Sequence, residues 1–419
     1  MRSVETCKGC GACYNVCPYQ AITMSTDQVG FLKFEKNMDL CKHCGTCDSV
    51  CVALDERKPR EDFRQQVFAV WAKSTQIHQA GNSGGFFEVA ARAILKENGV
   101  VVGASYDASF RVKLTAIKTL EKLSDLIGSK FVQSNPGMVY QDVRNYLEKG
   151  KIVLFAGAPC QVKALLAVLG RNYPTLITAQ FPCFGMPPES FWKKYLFYIG
   201  KDRHSRLSRI GSEVQLDGQI NTRYMTFSWE NGDFYSEKAD SCAYIRAWNN
   251  GFSVSDVCAS CRDNVLPGQS DFIMGNFWHI GEIEKFEVPK EAYEDGVSML
   301  FVNSERGKQF FEKIQHELIV YPRKVVEAVA PHFVFQCAGR EHFLFRRKYN
   351  SRRRVDFQKE LSVLSYEDME EKYFPKGERN RDVSITRKLG SQFAAWAWRV
   401  IYYIQKLWME GRLRTGHNE

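Results

Sequence analysis

The sequence lacks three features that would place a protein in a common class at first reading. No basic segment followed by an apolar run and small residues precedes the first cysteine motif at residue 7, so we predict no signal peptide and expect a cytoplasmic location. Neither a G-x-G-x-x-G dinucleotide fingerprint nor a phosphate loop ending in Gly-Lys-Ser or Gly-Lys-Thr is present. The Trp-rich apolar stretch at 389–412 predicts an amphipathic helix, but Arg399 and Lys406 interrupt it too soon for a comfortable membrane span.

Excess positive charge is absent from most of the chain and concentrated at its end. Residues 341–419 contain 17 Lys and Arg against 11 Asp and Glu, which is +6 of the net charge of +9. This distribution argues against a nucleic-acid partner. The basic cluster at 345–354 fits either a solvated face or an anionic surface or partner. The amphipathic helix at 389–412 fits packing on the protein, contact in a homo-oligomer, or peripheral binding at the inner face of a membrane.

Cysteine is abundant, with 14 residues, and eight of them form a doubled motif. Because a cytosolic compartment keeps thiols reduced, clustered cysteines favour metal binding over disulfides. CKGCGACYNVCP (7–18) and CKHCGTCDSVC (41–51) share the spacing C-x2-C-x2-C-x3-C of bacterial-type two-cluster ferredoxins. In that arrangement three cysteines of one run bind one 4Fe-4S cluster and the fourth binds the other. A pair of zinc sites is the alternative, although zinc sites typically use two separated cysteine pairs.

The doubled motif predicts two crossed ligand sets. The first set is Cys7, Cys10, Cys13 and Cys51, and the second is Cys41, Cys44, Cys47 and Cys17. His43 lies inside the second motif, but eight cysteines complete both sets, so we assign it a surface or potential-tuning role.

Beyond residue 66, strand-like and helix-like apolar patterns alternate. This alternation predicts parallel strands joined by crossover helices, whereas turn signals within 206–237 indicate antiparallel strands. The predicted fold class is therefore an α+β ferredoxin-like module followed by an α/β domain with a mixed sheet and a C-terminal helical tail. The predicted domains are 1–57, 67–340 and 341–419, and a charged linker joins the first two.

Seven motifs of the central domain resemble, in order, the beta subunit of coenzyme F420-reducing hydrogenase and its relatives. They are NSGGFF, GVVVGASYD, GSKFVQS, KIVLFAGAPCQVKALL, FPCFGMPPESFWKKYL, CASCRD and SDFIMGNFW, within residues 67–280. The resemblance implies a flavin-binding oxidoreductase domain with a non-covalent FAD. Relatives that also have a two-cluster ferredoxin module include F420H2 oxidase subunits and bacterial proteins associated with cell-surface polysaccharide synthesis.

The resemblance also implies particular site residues. A third 4Fe-4S cluster would use Cys160, Cys183, Cys258 and Cys261, although by chemistry alone Cys258 and Cys261 fit a zinc half-site and Cys160 a reactive thiolate. Flavin contacts are expected from Ser83, Gly84, Gly85, Ser129, Lys130, Gln133, Ser134 and Gly157. The Gly-rich turn at 83–85 would place amides at a helix N-terminus, where a diphosphate fits and where helix capping is the alternative. Lys130 would stabilise the anionic reduced flavin, and a solvated lysine is the alternative.

Three positions depart from the family pattern. Gln180 and Phe184 stand where many relatives have an acid and a histidine, and Asn276 replaces an aspartate. These changes leave the cysteines intact but alter the chemistry near the substrate. His279 is the nearest imidazole that would carry protons instead. Cys242 and Cys337 have no place in the motifs and are predicted to be buried structural thiols.

The predicted function is an FAD-dependent and 4Fe-4S-dependent oxidoreductase. Ferredoxin or coenzyme F420 would be its electron partner, and a small molecule or glycan precursor its substrate. Two alternatives remain open. One is a non-catalytic electron-transfer subunit of a larger complex, and the other is a structural or sensory protein that contains clusters.

Overall fold

A small two-layer unit, here called the cysteine module, contains both cysteine motifs. A computed structural model describes residues 6–54, 64–81, 83–215, 223–266, 268–278, 280–281, 285–329, 336–337 and 352–375. In the module, β1 (Ile22–Thr26) pairs antiparallel with β2 (Leu32–Lys36), and the short helices α1 (Ala12–Val16) and α2 (Thr46–Ser49) lie within the two motifs. Gly11 and Gly45 precede these helices with φ values of 76° and 77°. This left-handed conformation favours glycine, so each motif has a glycine where its helix begins.

The rest of the chain, here called the body, alternates strands and helices. Its strands are β3 (Gln66–Ala72), β4 (Val100–Tyr106), β5 (Val112–Ile117), β6 (Val153–Gly157), β7 (Leu176–Gln180), β8 (Leu207–Gln215), β9 (Arg223–Trp229), β10 (Phe234–Lys238), β11 (Val265–Leu266), β12 (Phe272–Asn276), β13 (Ser298–Val302), β14 (Leu318–Arg323) and β15 (Gln336–Cys337). Its helices are α3 (Thr75–Ala80), α4 (Phe86–Lys96), α5 (Val139–Glu148), α6 (Pro159–Leu169), α7 (Glu189–Gly200), α8 (Ala243–Asn249), α9 (Asp256–Ala259), α10 (Lys290–Asp295), α11 (Glu305–Ile314), α12 (Val325–Val329), α13 (Arg352–Glu360) and α14 (Tyr366–Tyr373).

Eight strands form the central mixed sheet in the order β14-β3-β13-β12-β7-β6-β4-β5. Strands β12, β7, β6 and β4 are parallel, and β13, β14 and β5 pair antiparallel with their neighbours. Because β3 and β12 are both antiparallel to β13, β3 points the same way as the parallel strands. The carboxyl ends of β3, β4, β6, β7 and β12 therefore meet at one edge, here called the carboxyl edge.

Helices cover both faces of this sheet, as the alternation of side chains along a strand requires. Leu154 of β6 packs on the face that carries α4 and α11, and Phe155 packs on the opposite face with α5 and α6. The α/β domain with a mixed sheet is thus confirmed. The position of β3 differs from the simple parallel expectation, because two antiparallel strands flank it.

A second, three-stranded antiparallel sheet of β8, β9 and β10 confirms the pattern expected for 206–237. Its aromatic core includes Tyr195 of α7 and Tyr244 of α8, whose rings stack with centroids 5.1 Å apart. Cys242 is buried in this core, and its thiol donates a hydrogen bond to Tyr195 Oη at 3.3 Å. The side chain of Cys337 lies outside the described part of the chain.

The C-terminal helices α13 and α14 pack on the segment that carries Cys258. Arg354 is buried and forms an ion pair with Asp256, and Gln358 Nε2 donates to Val254 O at 2.5 Å. Arg354, the last residue of the basic cluster, therefore holds a loop of the body. Residues 345–351 and the amphipathic helix predicted at 389–412 lie outside the described residues. None of the helices described here has the length and apolarity that a membrane-spanning helix needs.

The cysteine module contacts the body through its first motif. Tyr140 Oη of α5 donates to Cys10 O at 2.8 Å, and Asn15 Nδ2 donates to Gly137 O at 2.8 Å. A Cβ atom added at Gly11 would overlap the ring of Pro136, so the two backbones lie close together. The first motif is thus enclosed by the body.

We predict that Gly11→Ala destabilises the protein more than Gly45→Ala. Both substitutions place a side chain at the same left-handed backbone conformation, but only Gly11 faces a neighbour, since nothing lies within 4 Å of a Cβ at Gly45. Overpacking adds about 1–3 kcal/mol to the loss at Gly11. Urea unfolding of the two iron-loaded variants measures the difference. Equal losses would contradict the packed interface.

Candidate metal centres and redox site

The structure brings the first predicted ligand set together around one cavity. Among the residues that line it are the four cysteines Cys7, Cys10, Cys13 and Cys51, and Cys47 also reaches it. The first three come from the turn before α1 and its first residues, whereas Cys51 comes from the end of the second motif. Cys51 of the second motif thus lines the same cavity as three cysteines of the first motif, and these residues fit a 4Fe-4S cluster.

The second predicted set lines a separate cavity at the outer end of the module. Its lining includes Cys17, Cys41, Cys44 and Cys47, together with Pro18 and Lys36. Cys44 is exposed, whereas Cys10 is enclosed by the module and the body. The two sets share their spacing but differ in their access to solvent. The second set therefore lies nearer the solvent, and the first faces the body.

Backbone amides donate to sulfur in both motifs. The amide of Gly9 lies 3.5 Å from Cys7 Sγ, that of Ala21 lies 3.3 Å from Cys17 Sγ, and that of His43 lies 3.4 Å from Cys41 Sγ. Such contacts offset the negative charge of a ligated cluster and tune its potential. His43 thus contributes its backbone next to the second set. In the described ranges, no three His, Cys, Asp or Glu side chains form a group suited to a single metal ion.

Burial opposes free thiolates in the first set. It raises the pKa of Cys10 to about 12, with the neighbouring charges of Cys7 and Cys51 acting in the same direction. Burial also raises the pKa of Cys13 well above its ordinary value. Metal binding requires thiolates and supplies the positive charge that compensates them. The donor set therefore suits a cationic iron cluster.

Four cysteines of the body form a third group. Cys160 begins α6 after β6, Cys183 follows β7, and Cys258 and Cys261 lie in and after α9. Burial raises the pKa of Cys183 to about 12, and the charge of Cys258 adds to this rise. Burial likewise raises the pKa of Cys160, with contributions from Cys183, Cys261 and Cys10. The charges of these side chains therefore act on one another, and the charge of Cys10 in the first set acts on Cys160.

Two polar residues that the sequence reasoning missed hold this group. Asn264 accepts from the amide of Cys183 through Oδ1 and donates to its carbonyl through Nδ2, both at 2.9 Å. Asp263 is buried, and its amide donates to Cys261 Sγ at 3.4 Å. Both residues directly follow CASCR in the sequence. Their position beside two predicted ligands is the sequence feature that could have identified them.

Motifs distant in sequence converge at the carboxyl edge. Ser83 Oγ donates to Gly275 O at 3.3 Å and lies 3.0 Å from Ser298 Oγ. A Cβ added at Gly275 would lie 3.1 Å from Pro182 Cδ, so the GNFW and FPCFG motifs are in contact. Phe184 and Trp278 follow in these motifs, with ring centroids 5.7 Å apart. The Ser-Gly-Gly turn and the two motifs thus form one wall.

Lys130 lies beside this wall, in the loop that connects β5 to α5. Its ammonium donates to Ile127 O at 2.8 Å and to Gly128 O at 3.1 Å, and burial lowers its pKa to about 8. The next residue, Phe131, packs on Trp248 with ring centroids 4.8 Å apart, and Trp248 packs on Phe184 at 6.3 Å. Lys130 is therefore a desolvated cation near the FPCFG motif.

Several expected flavin contacts have structural partners instead. Gln133 Oε1 accepts from Leu32 N at 2.8 Å and its Nε2 donates to Lys8 O at 3.4 Å, so this side chain joins the module to the body. Ser134 Oγ accepts from Gln161 Nε2 at 2.8 Å. Gly84 leaves no room for a Cβ against Val70 O, and Gly85 caps α4 with a φ of 81°. Hydrogen bonds within the protein therefore account for Gln133 and Ser134. Close packing accounts for Gly84, and backbone conformation accounts for Gly85.

For the other residues that the sequence singled out, the structure gives a position but no specific role. Ser129 adjoins Lys130 in the same loop. Gly157 ends β6 at the carboxyl edge, where a Cβ would lie 3.1 Å from Gln161 Oε1. Gln180 is buried at the end of β7, and Asn276 ends β12. His279, the expected proton carrier, lies outside the described residues.

We predict that Cys51→Ala removes the inner iron cluster of the module and leaves the outer one. Its sulfur belongs to the cavity of the first set although its sequence belongs to the second motif. Iron analysis of anaerobically reconstituted protein should show the loss of about four irons per chain, since a cubane cluster holds four. Cys242→Ala is the matched control, because Cys242 bonds to Tyr195 and should change stability without changing iron content. Loss of the outer cluster instead would refute the crossed ligand sets.

The comparisons with known proteins agree with this geometry. Residues 6–53 match the 4Fe-4S dicluster domain, and residues 150–327 match the C-terminal domain of the coenzyme F420 hydrogenase/dehydrogenase beta subunit. No curated protein matches the chain. A solved structure of the F420-reducing NiFe hydrogenase complex from Methanosarcina barkeri contains a similar chain, 15% identical, with a TM-score of 0.42, covering 73% of this chain and 94% of that one.

The two matched domains make this an iron-sulfur electron-transfer protein of the oxidoreductase class. Residues 150–327 therefore carry the C-terminal domain of the coenzyme F420 hydrogenase/dehydrogenase beta subunit family, and a 4Fe-4S dicluster domain precedes it.

Proposed function

We propose that this protein carries electrons from an external carrier through three 4Fe-4S clusters to FAD, and from there to an organic substrate. The observation that carries the proposal is the continuous series of three cysteine groups. It begins at exposed Cys44, passes Cys10 and Cys160, and ends at Cys183 in the wall at the carboxyl edge. Each group lies next to the following one. The reverse direction of flow uses the same path.

The outer cysteine group is the entrance in this proposal. Cys44 is exposed, and a hydrogen bond with the Thr46 hydroxyl is the main cause that lowers its pKa. Exposed ligands let a redox protein approach to short distance. A ferredoxin and coenzyme F420 are the two donors that the family resemblance offers. A small iron-sulfur carrier suits this entrance best, because it exchanges single electrons with a cluster.

The third cysteine group connects the module to the body. The charges of Cys10 on the module side and of Cys183 in the body both act on Cys160. The four cysteines are contributed by the segments that follow β6 and β7 and by the α9 segment, and α13 fixes the last of these through Arg354 and Gln358. Rigid ligand positions suit electron transfer, since they need little rearrangement when charge changes. We therefore assign a third cluster to Cys160, Cys183, Cys258 and Cys261.

The carboxyl edge is the proposed flavin site. In α/β sheets, ligands bind outside the carboxyl ends of parallel strands. Here this edge carries the Ser-Gly-Gly turn and the Phe184 and Trp278 rings, and Trp278 is 41% exposed. The half-buried ammonium of Lys130 lies 6.0 Å from the ring of Tyr106 at the end of β4. A flavin bound there would exchange single electrons with a cluster and two electrons with a substrate. Ser83, Ser129, Lys130 and Trp278 are the residues that would hold it.

Phe184 separates this chain from relatives with a histidine at the same place. Its ring is buried and packed between Trp248 and Trp278, so this part of the wall cannot donate a proton. The substrate chemistry therefore differs from that of such relatives. A glycan precursor, as in the relatives associated with polysaccharide synthesis, is the first substrate class to test, and coenzyme F420 is the second.

We predict twelve irons and one FAD per chain after anaerobic reconstitution, since three cubane clusters hold about four irons each. Cys258→Ala should lower the iron content by about four and leave the module clusters intact, because Cys258 belongs to the body group. Iron, sulfide and flavin analysis measures these contents. Eight irons in the unsubstituted protein would refute the third cluster. Full iron without flavin would favour the alternative, an electron-transfer subunit whose acceptor lies in another polypeptide.

We predict that flavin affinity weakens as the pH rises through about 8, where Lys130 loses its proton. The charge-assisted contact is worth about 1.5–3 kcal/mol, so affinity should fall about ten-fold or more. Lys130→Gln should bind weakly without a step near pH 8. Exposed Lys118→Gln, the control, should keep the step. Fluorescence titration with FAD measures these affinities, and an unchanged step in Lys130→Gln would exclude this role.

The effect of Lys130 on folding stability has the opposite sign. Its pKa falls from 10.5 in the unfolded chain to about 8 in the folded protein, so the unfolded chain binds more protons between these values. The contribution of Lys130 to the free energy of unfolding therefore rises with pH across this window. Urea unfolding at pH 7.5 and pH 9.5 should show this rise in the unsubstituted protein relative to Lys130→Gln. A fall would contradict burial of the ammonium.

A further inference from the structure

A buried group of three charges lies between the cysteine module and the body. Lys8 Nζ, within the first motif, lies 2.6 Å from Asp263 Oδ2, and Lys163 Nζ of α6 lies 3.1 Å from Asp263 Oδ1. The side chain of Asp263 is 3% exposed, and those of Lys8 and Lys163 are 15% and 11% exposed. We call this group the Lys-Asp-Lys triad. Its net charge is positive, because two ammonium groups share one carboxylate.

The triad lies among the cysteines of the inner and body groups. The charges of Cys160, Cys261 and Asp263 act on Lys8, and the charge of Lys8 acts on Cys10. Lys8 itself stands between Cys7 and Cys10, and Lys163 is three residues after Cys160, on the same helix. Asp263 Oδ2 also lies 3.5 Å from Cys261 Sγ. A positive charge is thus positioned where electrons would pass from the module to the body.

We propose that Lys8 and Asp263 set the reduction potentials of the inner and body clusters. This inference rests on the proposed function, because it requires clusters at both cysteine groups. One electron leaves the inner cluster and one arrives at the body cluster, so no proton or further reactant takes part. The residues of the triad keep their charges during this step.

The sign of the effect follows from electrostatics. A reduced cluster has one more negative charge than its oxidised form, and Coulomb interactions are strong in a poorly solvated site. The net positive triad therefore stabilises the reduced form of both neighbouring clusters and raises their potentials. Without Lys8, the remaining pair of Asp263 and Lys163 is neutral. Without the carboxylate of Asp263, two cations remain and the potentials rise further.

Attachment of the module does not by itself require these charges. Neutral hydrogen bonds from Tyr140, Asn15 and Gln133 already join the first motif to the body. A buried ion pair is a weak source of stability, because desolvation of the charges offsets much of their attraction. An ion pair at this position is therefore better explained by its effect on the clusters.

Potentiometric titrations of the reconstituted full-length protein, monitored by electron paramagnetic resonance, test the proposal. At a fixed potential, Lys8→Gln should lower the reduced-to-oxidised ratio of the inner and body clusters about ten-fold, equivalent to about 59 mV for one electron. Asp263→Asn should raise both ratios, and Lys163→Gln should lower that of the body cluster. Lys42→Gln is the matched control: Lys42 follows Cys41 and lines the outer cavity but not the inner one, so only the outer cluster should shift.

The opposite signs for Lys8→Gln and Asp263→Asn separate tuning from a purely structural role. A structural ion pair would make both variants less stable and shift their potentials in the same direction or not at all, and this result would overturn the proposal. Lys8→Arg keeps the charge and should retain the original potentials if Lys8→Gln fails to fold. Iron content is measured first: fewer than twelve irons in the unsubstituted protein would refute the third cluster, whereas full iron with unchanged potentials would refute only the triad.

Discussion

The contact between the first cysteine motif and the loop before α5 is the constraint on which the rest of the structure depends. Gly11 passes so close to Pro136 that only a glycine fits, and Tyr140 bonds directly to the carbonyl of Cys10. This contact places the inner cysteine group against Cys160 of the body. Electron tunnelling falls steeply with distance, so a path through the protein requires that this distance be constant. Backbone packing keeps it constant better than flexible side chains would.

The same contact gives two motifs with the same cysteine spacing different exposure to solvent. Both have the same cysteine spacing, a left-handed glycine and amide contacts to sulfur. Burial raises the pKa of Cys10, however, whereas Cys44 is exposed. Solvent exposure and nearby charge are among the main determinants of cluster potential. The body therefore gives the two cysteine groups different surroundings, although the sequence repeat treats them alike.

Local sequence patterns predicted much of the fold and of the candidate site. The features that they missed depend on contacts between residues that are distant in sequence. Doubled cysteine spacing indicates crossed ligand sets because ligand geometry is local, and the apolar period of 86–97 predicts α4 for the same reason. The place of β3 depends on β13, more than 200 residues later, and strand pairing at such a separation has no local signal. The role of Gln133 and the pairing of Lys8 with Asp263 were missed for this reason as well.

The contacts of Phe184 explain the physical effect of one departure from the family pattern. Phe184 directly follows Cys183, whose backbone is held by two hydrogen bonds with Asn264, so the ring cannot turn away without disturbing a proposed cluster ligand. It packs against Trp248 and Trp278 and makes this side of the carboxyl edge apolar. Electrons can still pass such a wall, but protons cannot be supplied by it. Lys130 lies on the other side of Trp248, next to Phe131, and its ammonium lies 6.0 Å from the Tyr106 ring at the end of β4. A charged group and an apolar surface therefore flank the ring of Trp248.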